Sequence, residues 1–102
     1  MDIKVSLEGL DLDALMQEIE EEIIGEFAAV GEEAVAYAKE HGSYRDITGR
    51  LRRSNKYEAS LEGLKIYNDA PYAQFVESKG YDVITGAALY AEKRLKEKIG
   101  SK

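Results

Sequence analysis

The stretch that decides the fold is YEASLEGLKI, which occupies residues 57–66. Apolar and polar side chains alternate on both sides of Glu62-Gly63, a dipeptide suited to a tight two-residue turn. The alternating apolar residues are Tyr57, Ala59, Leu61, Leu64 and Ile66. The stretch therefore predicts an antiparallel β-hairpin with one face turned toward a core.

The chain on the N-terminal side of the hairpin predicts a third strand and one long helix. Residues 2–7 alternate polar and apolar side chains, which is typical of a half-buried strand. Over residues 12–40 apolar side chains recur at helical spacing, with glutamates on the opposite side. A straight helix of this length measures about 43 Å, whereas a compact chain of this size is about 35 Å across. We therefore expect the helix to kink at Gly25 or Gly31, or to project and be covered by a neighbouring subunit.

The chain on the C-terminal side of the hairpin is predicted to be helical. Pro71 favours the start of a short helix that ends at Gly80. The apolar side of this helix is expected to face the sheet and consists of Tyr72, Phe75 and Val76. Residues 85–99 predict a C-terminal helix with lysines near the negative end of its dipole. The segment 48–54, just before the hairpin, predicts one short helical turn.

These elements predict an α+β fold in a single domain over residues 1–102. A small antiparallel sheet, formed by the N-terminal strand plus the hairpin, packs on one long N-terminal helix, with a short helix and a C-terminal helix beside it. The chain has no cysteine, which excludes disulfide and thiolate chemistry. It lacks the layout of a signal peptide and any apolar run of the roughly 20 residues that cross a bilayer. We expect a soluble, intracellular protein without a membrane partner.

Charge is distributed unevenly along the chain. Residues 1–42 carry 12 acidic and 2 basic side chains, a balance of −10, and residues 43–102 carry 8 and 12, a balance of +4. Oppositely charged faces favour head-to-tail packing of identical subunits. The alternative is a solvated glutamate-rich helix face beside an ordinary surface. The total of −6 argues against a free-standing binder of duplex DNA.

Candidate catalytic groups are few. His41 is the only histidine and lies at a predicted helix end, where a solvated cap is the usual role. Glu20, Glu21 and Glu22 are consecutive, so their carboxylates point in different directions around a helix and form no acid–base pair. The glycines fit neither a dinucleotide fingerprint nor a phosphate loop. The sequence predicts a protein that is not an enzyme and has no cofactor or metal.

The sharpest local charge feature is a cluster of arginines at positions 45, 50, 52 and 53, next to Tyr44. Two interpretations stay open. The arginines bind phosphates of a nucleic acid while tyrosines lie near bases, or they dock on carboxylates of this or another protein. The residues predicted to contact a partner or another subunit are Tyr44, Arg45, Arg50, Arg52, Arg53, Ile23 and Phe27.

Two segments in a fixed order carry a family resemblance. Residues 48–54 read TGRLRRS, and after the predicted hairpin residues 70–80 read APYAQFVESKG. With the opening strand and EGL at residues 8–10, this order resembles the tail-component family of head–tail joining proteins of long-tailed phages and prophages. Its motif positions here, with structural roles implied, are Thr48, Gly49, Leu51, Ser54, Tyr72, Ala73, Val76, Glu77 and Gly80.

The resemblance implies a non-enzymatic structural protein of a virion neck, a tail-completion protein that joins the head connector and the tail. Such a protein forms a homo-oligomeric ring around the DNA channel and contacts other neck, connector or tail proteins. DNA passes through without being specifically bound. The implied location is the host cytoplasm during assembly and then the virion. The alternative from the residues alone is a small nucleic-acid-binding or regulatory module that uses the arginine cluster.

One internal contact is also predicted. Glu77 lies on the short helix beside residues expected to face the sheet, so its carboxylate needs a partner at the edge of the core. The positions of Arg50 and Arg52, just before the hairpin that this helix covers, predict that one of them forms an ion pair with Glu77.

Overall fold

A computed structural model of the chain describes residues 1–42 and 49–99. This part of the chain forms three strands and five helices. In chain order they are β1 (Asp2–Lys4), α1 (Leu12–Met16), α2 (Glu20–His41), α3 (Arg50–Arg53), β2 (Asn55–Ser60), β3 (Gly63–Asn68), α4 (Ala73–Ser78) and α5 (Thr85–Ile99). The predicted α+β fold is confirmed.

The three strands form one antiparallel sheet in the order β1-β3-β2. The register pairs Ile3 with Ile66 and Tyr57 with the same residue, which therefore lies at the centre of the inner face. Ser60 pairs with Gly63, so the turn consists of Leu61 and the next residue, one position earlier than predicted. Leu61 accordingly lies at the hairpin tip and is exposed, instead of facing the core.

Helices α2 and α5 cover the inner face of the sheet. The largest fully buried side chains belong to both helices, to the central strand and to the segment just before α5. They are Phe27, Val30, Ile66, Val83, Ile84 and Leu95, together with the polar Asn68. The predicted bounds of the C-terminal helix agree with α5, and its buried residues include Ala88, Ala91 and Leu95.

The long helix predicted over residues 12–40 is broken, but at neither glycine. The break lies between α1 and α2, where Ile19 has the extended backbone angles φ −75° and ψ 154°. This break lets Leu15 pack in the core, and it gives α2 a first turn of glutamates, which suits the positive end of a helix dipole. Gly31 has a different role, since a Cβ there would lie 2.5 Å from the Tyr57 ring. It allows α2 to approach the sheet closely.

The length of α2 is accommodated by the shape of the domain. The molecule measures 46 × 23 × 18 Å, and a helix of 22 residues is about 33 Å long. The elongated domain therefore accommodates the length of α2, and the side chain of Phe27 on this helix is only 1% exposed. Phe27 is a core residue, which corrects the prediction that it contacts another subunit. Ile23 also packs against the core and is partly buried.

The orientation of α4 differs from the prediction. Ala73 is its fully buried residue, and Val76 packs against the core. Phe75, expected to face the sheet, is 63% exposed, and Tyr72 is 37% exposed. The helix ends at Ser78, two residues before the predicted end. Gly80 has a positive φ of 91° and donates its N–H to the Glu77 carbonyl at 3.0 Å.

Candidate assembly surfaces

The arginine segment begins with a backbone turn that favours glycine. Gly49 has a φ of 75°, in the left-handed region, and precedes the single turn α3. Leu51 then points into the core and is 2% exposed. Ser54 closes the turn, because its hydroxyl donates to the Arg50 carbonyl at 2.8 Å. Gly49, Leu51 and Ser54 of the motif thus fix the short helical turn α3, which directly precedes the hairpin.

Arg52 is bound to the C-terminal end of α2. Its guanidinium donates to the Lys39 carbonyl at 2.5 Å and to the Gly42 carbonyl at 3.4 Å. A cation at this position satisfies carbonyls that the helix leaves unpaired and opposes the negative end of its dipole. Gly42 itself has φ −60°, outside the left-handed region typical of a glycine cap, so Arg52 caps this end of the helix. Arg52 consequently has a structural role.

Two buried asparagines join the two motif segments. The Nδ2 of Asn68 donates to the Leu51 carbonyl at 2.7 Å and to Oδ1 of Asn55 at 2.8 Å, and its Oδ1 accepts from the Ala70 N–H at 2.9 Å. Asn68 is fully buried and Asn55 is 3% exposed. Asn68 therefore links α3, the hairpin and the start of the α4 segment through one side chain. We call this hydrogen-bonded group the asparagine joint.

Glu77 is bound to the segment before α5. Its Oε2 accepts from the Val83 N–H at 2.5 Å, and its Oε1 accepts from the Thr85 hydroxyl. These bonds hold the chain as it enters α5, where Val83 and Ile84 are buried. The carboxylate thus has hydrogen-bond donors in this segment, which corrects the predicted pairing with an arginine of segment 50–53.

A row of cations and aromatic rings runs along the exposed side of α4. Tyr72, Phe75 and Lys79 follow the helical spacing i, i+3, i+7, so they lie on one side of the helix. The Lys79 Nζ lies 5.1 Å from the centre of the Phe75 ring, and the Arg50 Cζ lies 6.0 Å from the centre of the Tyr72 ring. We call this row the α4 stripe. It presents apolar rings between two cations.

The junction between α1 and α2 presents apolar side chains among carboxylates. Met16 is 79% exposed and Ile19 is 62% exposed. The exposed Glu20 and Glu21 follow in the first turn of α2. We call this surface the acidic junction. It combines an apolar centre with negative charge, whereas the α4 stripe combines one with positive charge.

An ion pair within the domain joins an acidic side chain of the first half of the chain to a basic side chain of the second half. The Arg94 Nε lies 2.9 Å from a Glu33 oxygen, which ties α5 to α2. The hydrogen bond from Arg94 lowers the pKa of Glu33. On the same seam the Tyr37 ring stacks on His41 and on Tyr90, with centroids 4.1 and 4.8 Å apart. His41 is therefore part of an aromatic stack at a helix end.

The structure separates the predicted site residues into different groups. Arg50 and Tyr72 are brought together in the α4 stripe, whereas Gly49, Leu51, Arg52 and Ser54 form the anchored turn. Tyr44, Arg45 and Thr48 lie outside the described residues.

The sequence reasoning missed the asparagine joint and the exposed Met16, Ile19 and Phe75. A polar residue at each end of the hairpin was the available signal for the joint, but asparagine is common there without being buried.

Within residues 1–42 and 49–99, no helix is both long and apolar enough to cross a membrane. In the same ranges no three histidine or acidic side chains lie close enough together to hold a metal ion.

Comparison of the chain with protein-family models, with curated proteins and with solved structures found no match. The resemblance to the head–tail joining proteins therefore rests on the two motif segments and their order.

Proposed function

We propose that this protein is a non-enzymatic structural subunit that self-assembles into a ring in the neck of a phage or prophage virion. The observation that carries the proposal is the presence of two separate apolar surfaces with charged surroundings, the acidic junction and the α4 stripe. Isolated exposed apolar residues are normal on a monomer, whereas a patch rimmed by polar residues is typical of interaction sites. A subunit with two different contact surfaces is suited to a closed ring.

The motif order supports the neck as the place of this assembly. The segments 48–54 and 70–80 carry the family resemblance, and the asparagine joint connects them in space. A ring in this place encloses the DNA channel and contacts the head connector, tail or other neck proteins. The net charge of −6 suits a channel wall that lets DNA pass without binding it. Assembly in the host cytoplasm and incorporation into the virion complete the proposal.

The roles of the ionisable groups support a structural protein over an enzyme. Lys56 pairs with Asp69 at 2.6 Å, and Arg94 pairs with Glu33 and Glu97. Each pair ties elements of the fold together or stabilises a helix. Perturbed ionisable groups are candidates for catalysis only where they converge in a cleft. The groups named here instead lie along the sheet surface and the α2–α5 seam.

A small nucleic-acid-binding or regulatory module is the second candidate. The α4 stripe favours it, because cations beside exposed rings also bind single strands. The role of Arg52 weighs against it, since this side chain is bound to the α2 carbonyls. The arginine cluster Arg45, Arg50, Arg52 and Arg53 therefore has fewer cations for phosphates than the sequence indicates.

Light scattering coupled to size exclusion tests the proposal. The purified protein is measured at low and high concentration, with and without a short DNA duplex, and the assembled fraction is imaged by electron microscopy. We expect a mass that rises with concentration, closed rings, and no change when DNA is added. A monomer at every concentration that binds DNA with a steep salt dependence contradicts the ring and supports the second candidate.

A further inference from the structure

The α4 stripe has the features of a contact surface. Phe75 is the most exposed aromatic residue of the described chain at 63%. Tyr72, one helical turn away, is amphipathic, and such rings are enriched in protein interfaces. Lys79 and Arg50 lie beside the two rings. A partner that fits this surface has an apolar centre and negative charge at its edges.

The acidic junction has this complementary composition. Its centre consists of Met16 and Ile19, and Glu20 and Glu21 supply negative charge beside them. Methionine adapts to aromatic surfaces through a flexible, polarisable side chain. Opposite charges around two apolar centres fix the orientation in which the surfaces meet.

Carboxyl groups are also crowded just behind the acidic junction. Burial and the neighbouring Glu18 raise the pKa of Glu26, which lies on α2 next to Glu22. Lys98 of α5 opposes part of this effect, and a further cation that approaches this end of the molecule reduces the remaining repulsion among these carboxylates.

The positions of the two surfaces prevent one molecule from satisfying both by itself. The acidic junction lies at the N-terminal end of α2, whereas Arg52 attaches α3 to the C-terminal end at Lys39. The rise of α2 between these ends is about 30 Å. Because Arg50 of α3 lies over Tyr72, the α4 stripe is near the far end. Two different complementary surfaces on one subunit produce head-to-tail contacts, which close into rings or continue as filaments.

Resting on the ring assembly proposed above, we infer that the acidic junction of one copy docks on the α4 stripe of the next copy. Met16 and Ile19 cover the Phe75 and Tyr72 rings, and glutamates of α2 lie near Lys79. The occupant of the stripe is therefore a second copy of this chain.

Two single variants that each disable one surface test the inference. Ile19→Asp places a charge in the acidic junction, and Phe75→Asp places one in the α4 stripe. We expect each variant alone to lose at least about tenfold in self-association, as for a central interface residue. Light scattering of each variant over a concentration series measures this loss. Circular dichroism checks that both variants stay folded.

Mixing the two variants distinguishes head-to-tail docking from a symmetric contact. The Phe75→Asp copy keeps an intact acidic junction, and the Ile19→Asp copy keeps an intact stripe. An equimolar mixture is therefore expected to form dimers and no larger species. A mixture that stays monomeric while both variants are folded overturns the head-to-tail arrangement, because a symmetric contact is lost in both copies.

Matched controls introduce the same charge on the same helices away from the proposed contacts. Gln74→Asp lies on α4 and Ala36→Asp on α2, and both positions are exposed. Their oligomer size is expected to equal that of the unmodified protein. If Ile19→Asp and Phe75→Asp also assemble normally, the docking inference is wrong while the proposed ring stands. If the unmodified protein does not assemble, both are overturned.

A single-stranded oligothymidylate provides the last arm of the test. We expect it to leave the oligomer size unchanged and to bind no more weakly to Phe75→Asp than to the unmodified protein. Binding that is lost in Phe75→Asp, with a normal oligomer size in both Phe75→Asp and Ile19→Asp, assigns the stripe to nucleic acid and overturns the inference.

Discussion

The segments 49–54 and 72–80 have exchanged the roles that their residue types indicate. The first is rich in arginine, which predicts a surface for partners, yet Leu51 is buried and Arg52 caps α2. The second contains aromatic residues at helical spacing, which predict a core face, yet Phe75 is exposed. Side-chain chemistry therefore gives a poor guide to which of the two segments faces outward.

The difference has a physical cause in the neighbours of each segment. Segment 49–54 lies at the end of α2, where carbonyl groups lack partners and attract a cation. Segment 72–80 includes a helix of six residues, which is less than two turns. Such a helix buries only a narrow side, and that side is occupied by Ala73. The larger Phe75 is left outside.

The largest effect that tests this comparison is the contrast between the two phenylalanines. Phe27→Ala is expected to lower the free energy of unfolding by about 3–5 kcal/mol, because it leaves a cavity in the core. Phe75→Ala is expected to change it by less than about 0.5 kcal/mol. Urea denaturation monitored by circular dichroism measures both. A loss above about 2 kcal/mol for Phe75→Ala means that α4 faces inward, as its sequence pattern predicts.

The next effect concerns the asparagine joint, which connects the two segments. Asn68→Ala removes three hydrogen bonds, and it leaves the buried Ala70 N–H without its acceptor and the Asn55 Oδ1 without its donor, so we expect a loss of about 3 kcal/mol. Asn55→Ala serves as the matched comparison. In the described part of the chain the Asn55 Nδ2 has no acceptor, and its removal offsets part of the lost bond, giving about 1 kcal/mol. Equal losses in the two variants contradict the central role of Asn68.

A smaller effect separates the arginines of segment 49–54. Arg52→Ala removes the cap on α2 and is expected to cost about 1 kcal/mol, with faster amide exchange in the last turn of that helix. Arg53→Ala, at an exposed neighbouring position, is expected to leave exchange in α2 unchanged. Hydrogen exchange read by mass spectrometry compares them. Similar exchange in both variants argues against the cap.

The smallest effect is a pH dependence at the base of the hairpin that connects the two segments, where Lys56 and Asp69 form an ion pair. The hydrogen bond from Lys56 holds the pKa of Asp69 below its ordinary range. The stability from this pair is therefore present above the ordinary pKa of about 3.9 and is lost as the pH falls through the lowered value. Lys56→Gln is expected to be slightly less stable than the unmodified protein near pH 7. The difference should disappear in acid, as thermal melts over a pH series can measure. An unchanged difference at pH 2 indicates another cause.

Local patterns predicted most of the elements correctly. Alternation in residues 57–66 predicted the hairpin, and apolar spacing predicted α5 with its bounds, because both depend on neighbours along the chain. The break before Ile19 was not predictable in this way, since residues 12–40 continue the helical pattern without interruption. The break is explained by the burial of Leu15, which belongs to the hydrophobic core. The core is formed by residues distant in sequence, so the local pattern does not show it.

For the candidate surfaces, too, some features follow from the sequence and others only from the tertiary structure. Periodicity along the sequence determined an α+β fold, and the distribution of charge determined an acidic first half and a cation-rich second half with aromatic residues next to cations. Tertiary structure alone decided that Arg52 is bound to α2 and that Glu77 holds the start of α5. It also decided that Phe75 of α4 is exposed whereas Ala73 is buried. The reason is that periodicity specifies which residues share a side of an element, whereas the packing of distant elements decides which side is buried.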